Sequence, residues 1–544
     1  MKRLISALLA IFTIATLICV PVVAETEPSK WDGKYEFEEG YTLSGEGTAT
    51  KPYLIQSAKD LAFFAYETNT AKKGTFQGKV LKQTVDIDLD NQPWTPIGAG
   101  SGSLYFYGTY DGDYHAILNM NSNSSSVKAA DKNGLFGILG QDAHNKHATE
   151  GCTVIKNLAL TGKIENTYTS TNNTVFNLTH SGAIASIAKH VKLENIYSSV
   201  EIKGIDSNSV AVGGLIGNPR GELYVESCVV TGNVSVSSVT NSAQIGGIIG
   251  SATEQSTTDA NYAWGSVRNI SNSYYTGTVT VNMAATGTAS NIRVGGIAGA
   301  IVNSATIRGC YMLGKVQIID SNDLASKSVG AFVGHFGFNP SKNNTTTKPS
   351  SIIKDSYYLE QAGGYLTNGI GNSDTDGRSD VTKLASITEA PAIPYKTGSS
   401  YFLADKDLVF SARQETNVVN DTYSVRLLST VSNIDNYKEV GYIVRATKDV
   451  TVDTTTTTTH TQYKTLSTQY VYKVIKAGTE IHTATSLGGS ETDYILALAI
   501  TDIPDDIRVT FEVTPYGVTT NGATVYGQTE ILFYEYGAYV GAMH

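Results

Sequence analysis

Little in this sequence is charged, and less of it is basic. Asp, Glu, Lys and Arg make up 17% of its 544 residues, and 50 acidic against 40 basic side chains leave a formal net charge of −10. No stretch gathers Lys and Arg into a stripe. That argues against nucleic acid and anionic membrane surfaces as partners, since both need clustered cations. Cysteine is scarce, with 4 in the chain. Cys19 lies in the N-terminal apolar run, and Cys152, Cys228 and Cys310 form an odd set that excludes a fully paired disulfide framework. There is no HExxH string, so the zinc-peptidase helix is missing. Beyond that N-terminal run no apolar stretch is long enough to cross a bilayer. No integral membrane segment is therefore expected after it, and the lack of an LPxTG-like signal removes the expectation of covalent wall attachment.

What replaces the missing charge is Gly (52), Tyr (32) and abundant Thr, Ser and Asn. That mixture favours β-structure with tight turns. Residues 1–24 read as an export signal: Lys2 and Arg3, then the apolar run Leu4 to Val20, then Val22-Val23-Ala24 before a cut preceding Glu25. Ile18 before Cys19 is too bulky for a lipobox. The expectation is a chain cleaved near Ala24 and either secreted or held at the cell surface.

The strongest signal is an internal repeat. A glycine-rich block recurs as Asn133–Gly137, Ser181–Ala185, Gly213–Gly217, Gly246–Gly250, Gly295–Gly299 and Gly330–Gly334. Each is followed by a second block that opens on an aliphatic residue: Ile155, Leu193, Val225, Ile270, Ile307 and Ile353. Nine residues after the first five of these come Ile164, Ile202, Val234, Val279 and Val316, flanked by polar neighbours such as Lys163/Glu165 and Thr278/Thr280. Apolar inward and polar outward with period two predicts strands with one buried face. Like residues in like places predict that the strands stack in register as coils of a solenoid. The Gly-Gly-x-x-Gly strings are read as tight bends that need a positive φ or a missing Cβ. β-type residues follow each one, where a phosphate loop needs a helix.

Leu193 comes eight positions after Ala185, Val225 eight after Gly217 and Ile307 eight after Gly299; the matching steps are eighteen from Gly137 to Ile155, twenty from Gly250 to Ile270 and nineteen from Gly334 to Ile353. Extra residues thus enter at one corner, in about 141–151, 252–266 and 340–351. Cys228 and Cys310 share a column with Leu158, Ile196, Ser273 and Ser356. One whole coil lies between the two cysteines, roughly 10 Å at the spacing of stacked strands, too far for a disulfide.

The pairing of G-G-[LI]-[IA]-G with I-x-[NS]-[CS]-[YV]-x-x-G resembles the GLUG repeat of bacterial surface proteins, over about residues 133–362. That repeat occurs in adhesin-like proteins and in the non-catalytic region of IgA-specific metallopeptidases. The resemblance implies a right-handed parallel β-helix. Gly45–Ile55 and Ser57–Ala65 look like the cap that opens such helices. From the residues themselves, Ser57 and Asp60 form a capping-box-like pair, and Leu61, Phe64 and Ala65 make one apolar face of a helix suited to cover the first coil. Val85–Leu89, Trp94–Gly98 and Phe106–His115 look like the first coils.

From about Asp407 the repeat stops. Tyr423–Val431, Glu439–Val444, Tyr494–Thr501, Val509–Tyr516 and Thr529–Tyr534 read as antiparallel strands, and Thr454–Thr459 as a bulge or hairpin tip. Seven to nine strands in this part suggest an immunoglobulin-like β-sandwich. It resembles a module appended to exported proteins of Firmicutes. The expected layout is signal 1–24, cap and first coils 25–132, repeat β-helix 133–362, linker with the end of the β-helix 363–406, and sandwich 407–544.

No catalytic set emerges, and no cofactor or metal site is expected. His144-x-x-His147 lacks a third firm ligand and reads as part of a solvated loop. Asp111-Gly-Asp113 fails calcium-loop spacing and reads as a turn. Asp86, Asp88 and Asp90 share one strand face and are the first suspects for a carbohydrate-active enzyme, the alternative reading. A binding surface is expected in one of two places. The column Ala159, Tyr197, Val229, Tyr274, Tyr311 and Tyr357 should face outward, as either a sugar- or protein-binding surface or an aromatic ladder. The inserted segments carry His144, His147, Tyr262 and Trp264. The leading expectation is a non-enzymatic, adhesin-like protein that binds extracellular glycans or host proteins.

Overall fold

In the computed structural model the described residues are 27–70, 76–99, 105–124, 132–140, 152–166, 179–205, 209–239, 242–252, 267–283, 291–302, 305–319, 328–337, 352–360, 368–373 and 379–385, followed by 408–419, 422–431, 434, 437–446, 451–456, 459–463, 469–475, 494–504, 508–519, 524–527 and 530–535. Strand dominates them, and the helix Ala58–Thr70 is the only α-helix among them.

Up to Leu384 the pairing is parallel, apart from one antiparallel bridge near the start between Ser44 and Leu54, and it links each coil to the next. The aliphatic column is continuous. Ile155 pairs with Leu193, Leu193 with Val225, Val225 with Ile270, Ile270 with Ile307 and Ile307 with Ile353. It also runs backward through Tyr110, Leu81 and Tyr53. The β-branched column pairs Ile164, Ile202, Val234, Val279 and Val316 in the same way. Every residue from Ile155 to Ile353 in these columns is buried in one continuous apolar core. Polar neighbours such as Glu201, Lys203, Lys315 and Gln317 are exposed. The chain is therefore a stack of coils, a β-helix-like arrangement of parallel strands, and its core is the inside of the stack.

From Thr179 to Leu359 each coil contributes to three sheets, one of 19 strands, one of five and one of seven; the first coils add strands only to the largest. Two kinds of corner make this possible. The first sits two residues beyond the aliphatic anchor, where Asn157, Asn195, Ser227, Asn272 and Asp355 take φ between 47° and 52° and Gly309 takes 60°. Asn and Asp tolerate this left-handed backbone better than most residues, which accounts for the N/S column of the repeat. Asn195 Nδ2 donates to Asn157 Oδ1 at 2.9 Å, and Asn157 Nδ2 to Asp111 Oδ1 at 3.1 Å, so the corner side chains bond coil to coil.

The second corner is the glycine block, between the five- and seven-stranded sheets. Here the missing Cβ decides in every coil but the first, where Gly134 also takes a positive φ of 123°. A Cβ on Gly213, Gly246, Gly295 or Gly330 would strike the carbonyl three residues on. In one coil the structure corrects the reading by one residue. Val212 pairs with Ser181 and Ile216 with Ala185, so Gly182 matches Gly213, and Ser186 stands where the next coil has Gly217. Gly182 sets the register because a Cβ there would strike the Ala185 and Leu215 carbonyls. Ser186 Oγ meanwhile accepts from the Asn133 amide at 2.6 Å and donates to the His180 carbonyl at 3.1 Å.

The expected cap forms. Ser57 Oγ accepts the Asp60 amide at 3.1 Å and donates to Asp60 Oδ2 at 3.0 Å, and Asp60 Oδ2 also takes the Gln56 amide. Leu61, Phe64 and Ala65 are fully buried. The Phe64 ring lies 5.0 Å from Phe76, 5.1 Å from Phe106 and 6.1 Å from Tyr110, closing the open end of the core with aromatic contacts. Such an end would otherwise expose unpaired strand groups and apolar side chains.

At the far end, Ile370–Ser373 and Ser379–Leu384 add parallel pairs to the last coil, so the stack continues into the segment after residue 362. From Leu408 onward every pairing is antiparallel. Two five-stranded sheets form, one ordered Leu408–Val419, Thr422–Val431, Tyr494–Pro504, Thr451–Thr456, Thr459–Tyr463. In the other, Gln469–Ile475, Tyr437–Ala446, Arg508–Thr519 and Thr524–Tyr526 follow one another, and Glu530–Glu535 also pairs with Arg508–Thr519. Thr456 faces Thr459 across a hairpin tip, as the threonine run suggested.

Candidate functional surface

The tyrosine column follows directly from the asparagine corner. The residue after the corner points inward, the next outward and the third inward again. Leu158, Ile196, Cys228 and Cys310 accordingly lie in the main core, as do Val230, Tyr275, Met312 and Tyr358. Cys228 and Cys310 are free thiols, and burial pushes Cys228 up to about 12. Between these inward columns, Ala159, Tyr197, Val229, Tyr274, Tyr311 and Tyr357 pair in register.

The column does face away from the main core, but its centre is covered. Val229, Tyr274 and Tyr311 form a separate buried cluster, with Tyr274 at 6% and Tyr311 at 1% exposure. Tyr197, Leu313 and Tyr357 pack against it, half-buried. The Tyr311 and Tyr357 rings stack at 5.1 Å with 16° between planes, and the Tyr197 hydroxyl lies 3.2 Å from Thr231 Oγ1. The expectation of an open aromatic face is corrected for Tyr274 and Tyr311. Tyrosines one coil apart are close enough to stack on one another, and stacking removes the flat faces a sugar would need.

The suspected carboxylates are each engaged. Asp86 Oδ1 lies 3.0 Å from His115 Nδ1 and accepts the Ala116 amide at 2.9 Å. Partial burial works to raise the Asp86 pKa, but these hydrogen bonds and the histidine charge outweigh it and hold the carboxyl below its ordinary value. Asp88 Oδ1 accepts the Asp90 amide and Asn119 Nδ2, both at 2.8 Å. Asp90 sits at φ 51° and pairs with Lys30 at 2.9 Å. Asp111 accepts the Asp113 amide at 3.0 Å, and Asp113 and Tyr114 follow with φ of 48° and 66°, which makes a turn. These acids build corners of the first coils.

The long insertions leave from one corner, between the seven-stranded sheet and the start of the 19-stranded one. Their flanks are Gly140 and Thr153, Ala252 and Val267, and Gly337 and Ile352. His144, His147, Tyr262 and Trp264 lie outside the described residues. At the same corner the structure stacks three residues that sequence reasoning did not connect. Cys152 Sγ is 3.3 Å from His190 Nε2, and His190 Nδ1 is 3.6 Å from Glu222 Oε2. Each stands three residues before a member of the aliphatic column (Ile155, Leu193, Val225), so reading that column three places upstream would have found them. Among the described residues no group of three or more His, Cys, Asp or Glu is arranged to hold a metal ion, and no helix is long and apolar enough to cross a membrane.

No family model matches the chain, and no curated protein does. Among solved structures, the enzymatically active domain of tailspike protein 4 from bacteriophage CBA120 aligns with 90% of this chain and 67% of its own at 11% identity. The TM-score is 0.20, and at that value the likeness carries no argument about fold or activity. What the chain's own ladders establish is a nearly all-β protein built on stacked parallel strands.

Proposed function

We propose that this is an exported, non-enzymatic binding protein of adhesin-like type, whose coil stack holds recognition segments along one edge. The observation that carries the reading is the shared exit of the three long insertions. A stack tolerates extra residues only where backbone leaves the ladder. Three departures at one corner, with little rotation between coils, would align them on one side of the rod. The GLUG-like repeat supports the same reading. So does the export signal, which implies a secreted or surface location and extracellular glycans or host proteins as partners. The stack winds right-handed in this proposal, the hand that about 98% of parallel crossovers adopt, and the C-terminal sheets pair as an immunoglobulin-like sandwich.

The engaged state of Asp86, Asp88 and Asp90 weighs against the carbohydrate-active alternative, because a general acid or nucleophile must be free to reach its substrate. The test is binding of the full chain to arrays of host glycans, mucins and pectins, alongside a variant trimmed at 256–261 and at the equivalent tips. Trimming should abolish binding and leave the melting temperature unchanged. Undiminished binding by the trimmed chain would move recognition to the half-buried Tyr197 and Tyr357 or to the C-terminal sheets. Release of new sugar ends from any polymer would overturn the non-enzymatic reading.

A further inference from the structure

The corner that releases the insertions also carries a thiol in unusual company. Cys152, His190 and Glu222 each stand one residue before a strand, and the ladder aligns those strands through Thr153, Val191 and Leu223. The His190 carbonyl accepts the Thr153 amide at 3.1 Å, and the Glu222 carbonyl accepts the Val191 amide at 2.9 Å. Three successive coils therefore place a thiol, an imidazole and a carboxylate side by side. Cys152 Sγ meets His190 Nε2 at 3.3 Å, and Glu222 Oε2 stands behind Nδ1 at 3.6 Å, held by the Tyr224 hydroxyl at 3.2 Å. His190 and Glu222 are each 6% exposed, whereas Cys152 keeps partial access to solvent.

Two further observations set this group apart from the structural cysteines. His190 takes φ of 55°, a backbone state that costs free energy and that the surroundings must impose. Its Nδ1 is buried with no hydrogen bond at full strength, an arrangement that a shift of a few tenths of an ångström toward Glu222 would complete. Cys228 and Cys310, by contrast, are fully buried and point their thiols at the backbone carbonyls of Glu226 and Arg308.

We propose that Cys152 is a nucleophilic thiol, with His190 as its general base and Glu222 as the positioning residue of the imidazole, and that it exchanges with small disulfides. The Sγ proton passes to His190 Nε2 as Sγ attacks one sulfur of the disulfide. The new S–S bond forms while the old one breaks; an alkyl leaving group takes the proton from Nε2 and departs as a thiol, whereas a weakly basic aromatic one departs as the thiolate and Nε2 loses its proton to water. Cys152 ends oxidised in a mixed disulfide, and one half of the reagent ends reduced. Disulfide exchange needs an accessible sulfur and a base, with no donors for an oxyanion.

Burial, reinforced by the Glu222 charge and opposed by Lys192, pushes the Cys152 thiol up to about 11. The resting thiol is therefore neutral, and it depends on its base as a serine hydroxyl does. The charged and titratable groups around it are Lys192 from the next coil, tied to Glu194 and Glu226 at 3.0 Å each, and Glu222 and Tyr224 from the coil after that.

The experiment is a pH series on the full folded chain, using the aromatic disulfide reagent that releases coloured nitrothiobenzoate, with peptide mapping of the label. The expected result is label on Cys152 at neutral pH, with Cys228 and Cys310 unlabelled until the protein is denatured. The rate should level off at a pH far below 11. His190→Asn, which tolerates the same φ, should slow labelling about a hundredfold near neutrality. It should also convert the plateau into a rise that continues with pH. Glu222→Gln should give a smaller loss of rate. The wild-type profile decides without any variant: a rate that keeps climbing toward the pH of an unassisted buried thiol overturns the proposal. So does equal labelling of wild type and His190→Asn, or a native Cys152 that does not react.

Discussion

The coil stack and the C-terminal sheets are both β-structure, yet they reach register by different means. In the stack, each residue of a column meets the residue that holds the same place in the next repeat, so Val279 lies between Val234 and Val316. In the C-terminal part, neighbours have no such kinship. Thr422–Val431 pairs with Leu408–Val419 across a hairpin, and also with Tyr494–Pro504 from far along the chain. A repeat therefore carries its own alignment, whereas an antiparallel sheet draws its register from turns and from which faces are apolar. It also follows that damage should spread differently. A coil contacts only its two neighbours, so a broken rung exposes the rungs on both sides.

The largest expected effect comes from breaking a rung. Val279→Asp puts an unpaired charge into a fully buried column and should cost more than about 4 kcal/mol. Thr278→Asp, one residue away on the outer face and opposite Lys315, should change stability by less than about 0.5 kcal/mol. Thermal melts of the two variants test this inside-outside assignment, and equal melting temperatures would refute it. A comparable core deletion in the C-terminal part is Tyr442→Ala, which removes a fully buried ring at a cost of about 3–5 kcal/mol. Hydrogen exchange should show lost protection along Tyr437–Ala446 and Arg508–Thr519, with the amides of Ile270 and Ile307 still protected. Equal loss of protection in the coils would mean that the two regions unfold as one unit.

How much was legible follows from the same contrast. The aliphatic column and the β-branched column, and with them the outer position of Thr278, could be read because six repeats supply the first and five the second; the cap pair Ser57 and Asp60, outside the repeats, could be read from its three-residue spacing ahead of an apolar helix face. Where a repeat departs from the others the pattern misleads: Ser186 stands at the place of a glycine, so the glycine spacing alone sets Ser181–Ala185 one residue out of register. Exposure was harder to read than direction. Tyr274 and Tyr311 point outward as expected, but only the three-dimensional stack shows their neighbours covering them. The Cys152, His190 and Glu222 group was missed for the opposite reason. Its column holds three unlike residues, so similarity between repeats gave no signal, and only their common place three residues before the aliphatic column connects them. In the C-terminal part the five expected strands are all present, but the partner of each could not be read from alternation alone.

The smallest expected effect sharpens the comparison by separating two contributions within one corner. Asn195 holds φ at 52° and donates Nδ2 to Asn157 Oδ1 at 2.9 Å, so it supplies both a tolerated left-handed backbone and a link between coils. Asn195→Gly removes the link and keeps the backbone tolerance, which should cost about 1 kcal/mol for the lost hydrogen bond. Asn195→Ala removes both and should cost about 1–2 kcal/mol more, the penalty of placing an ordinary side chain at positive φ. Chemical denaturation of the two variants gives the difference directly. If Ala and Gly are equally destabilised, the asparagine column acts through its hydrogen bonds alone. If Gly matches the wild type, the column is there for its backbone alone, and the interlinked amides of Asn157 and Asn195 add nothing to the joining of coils. The expected order, wild type above Gly above Ala, requires both. No such column exists among the antiparallel strands after Leu408: none of the described residues there has a positive φ outside glycine.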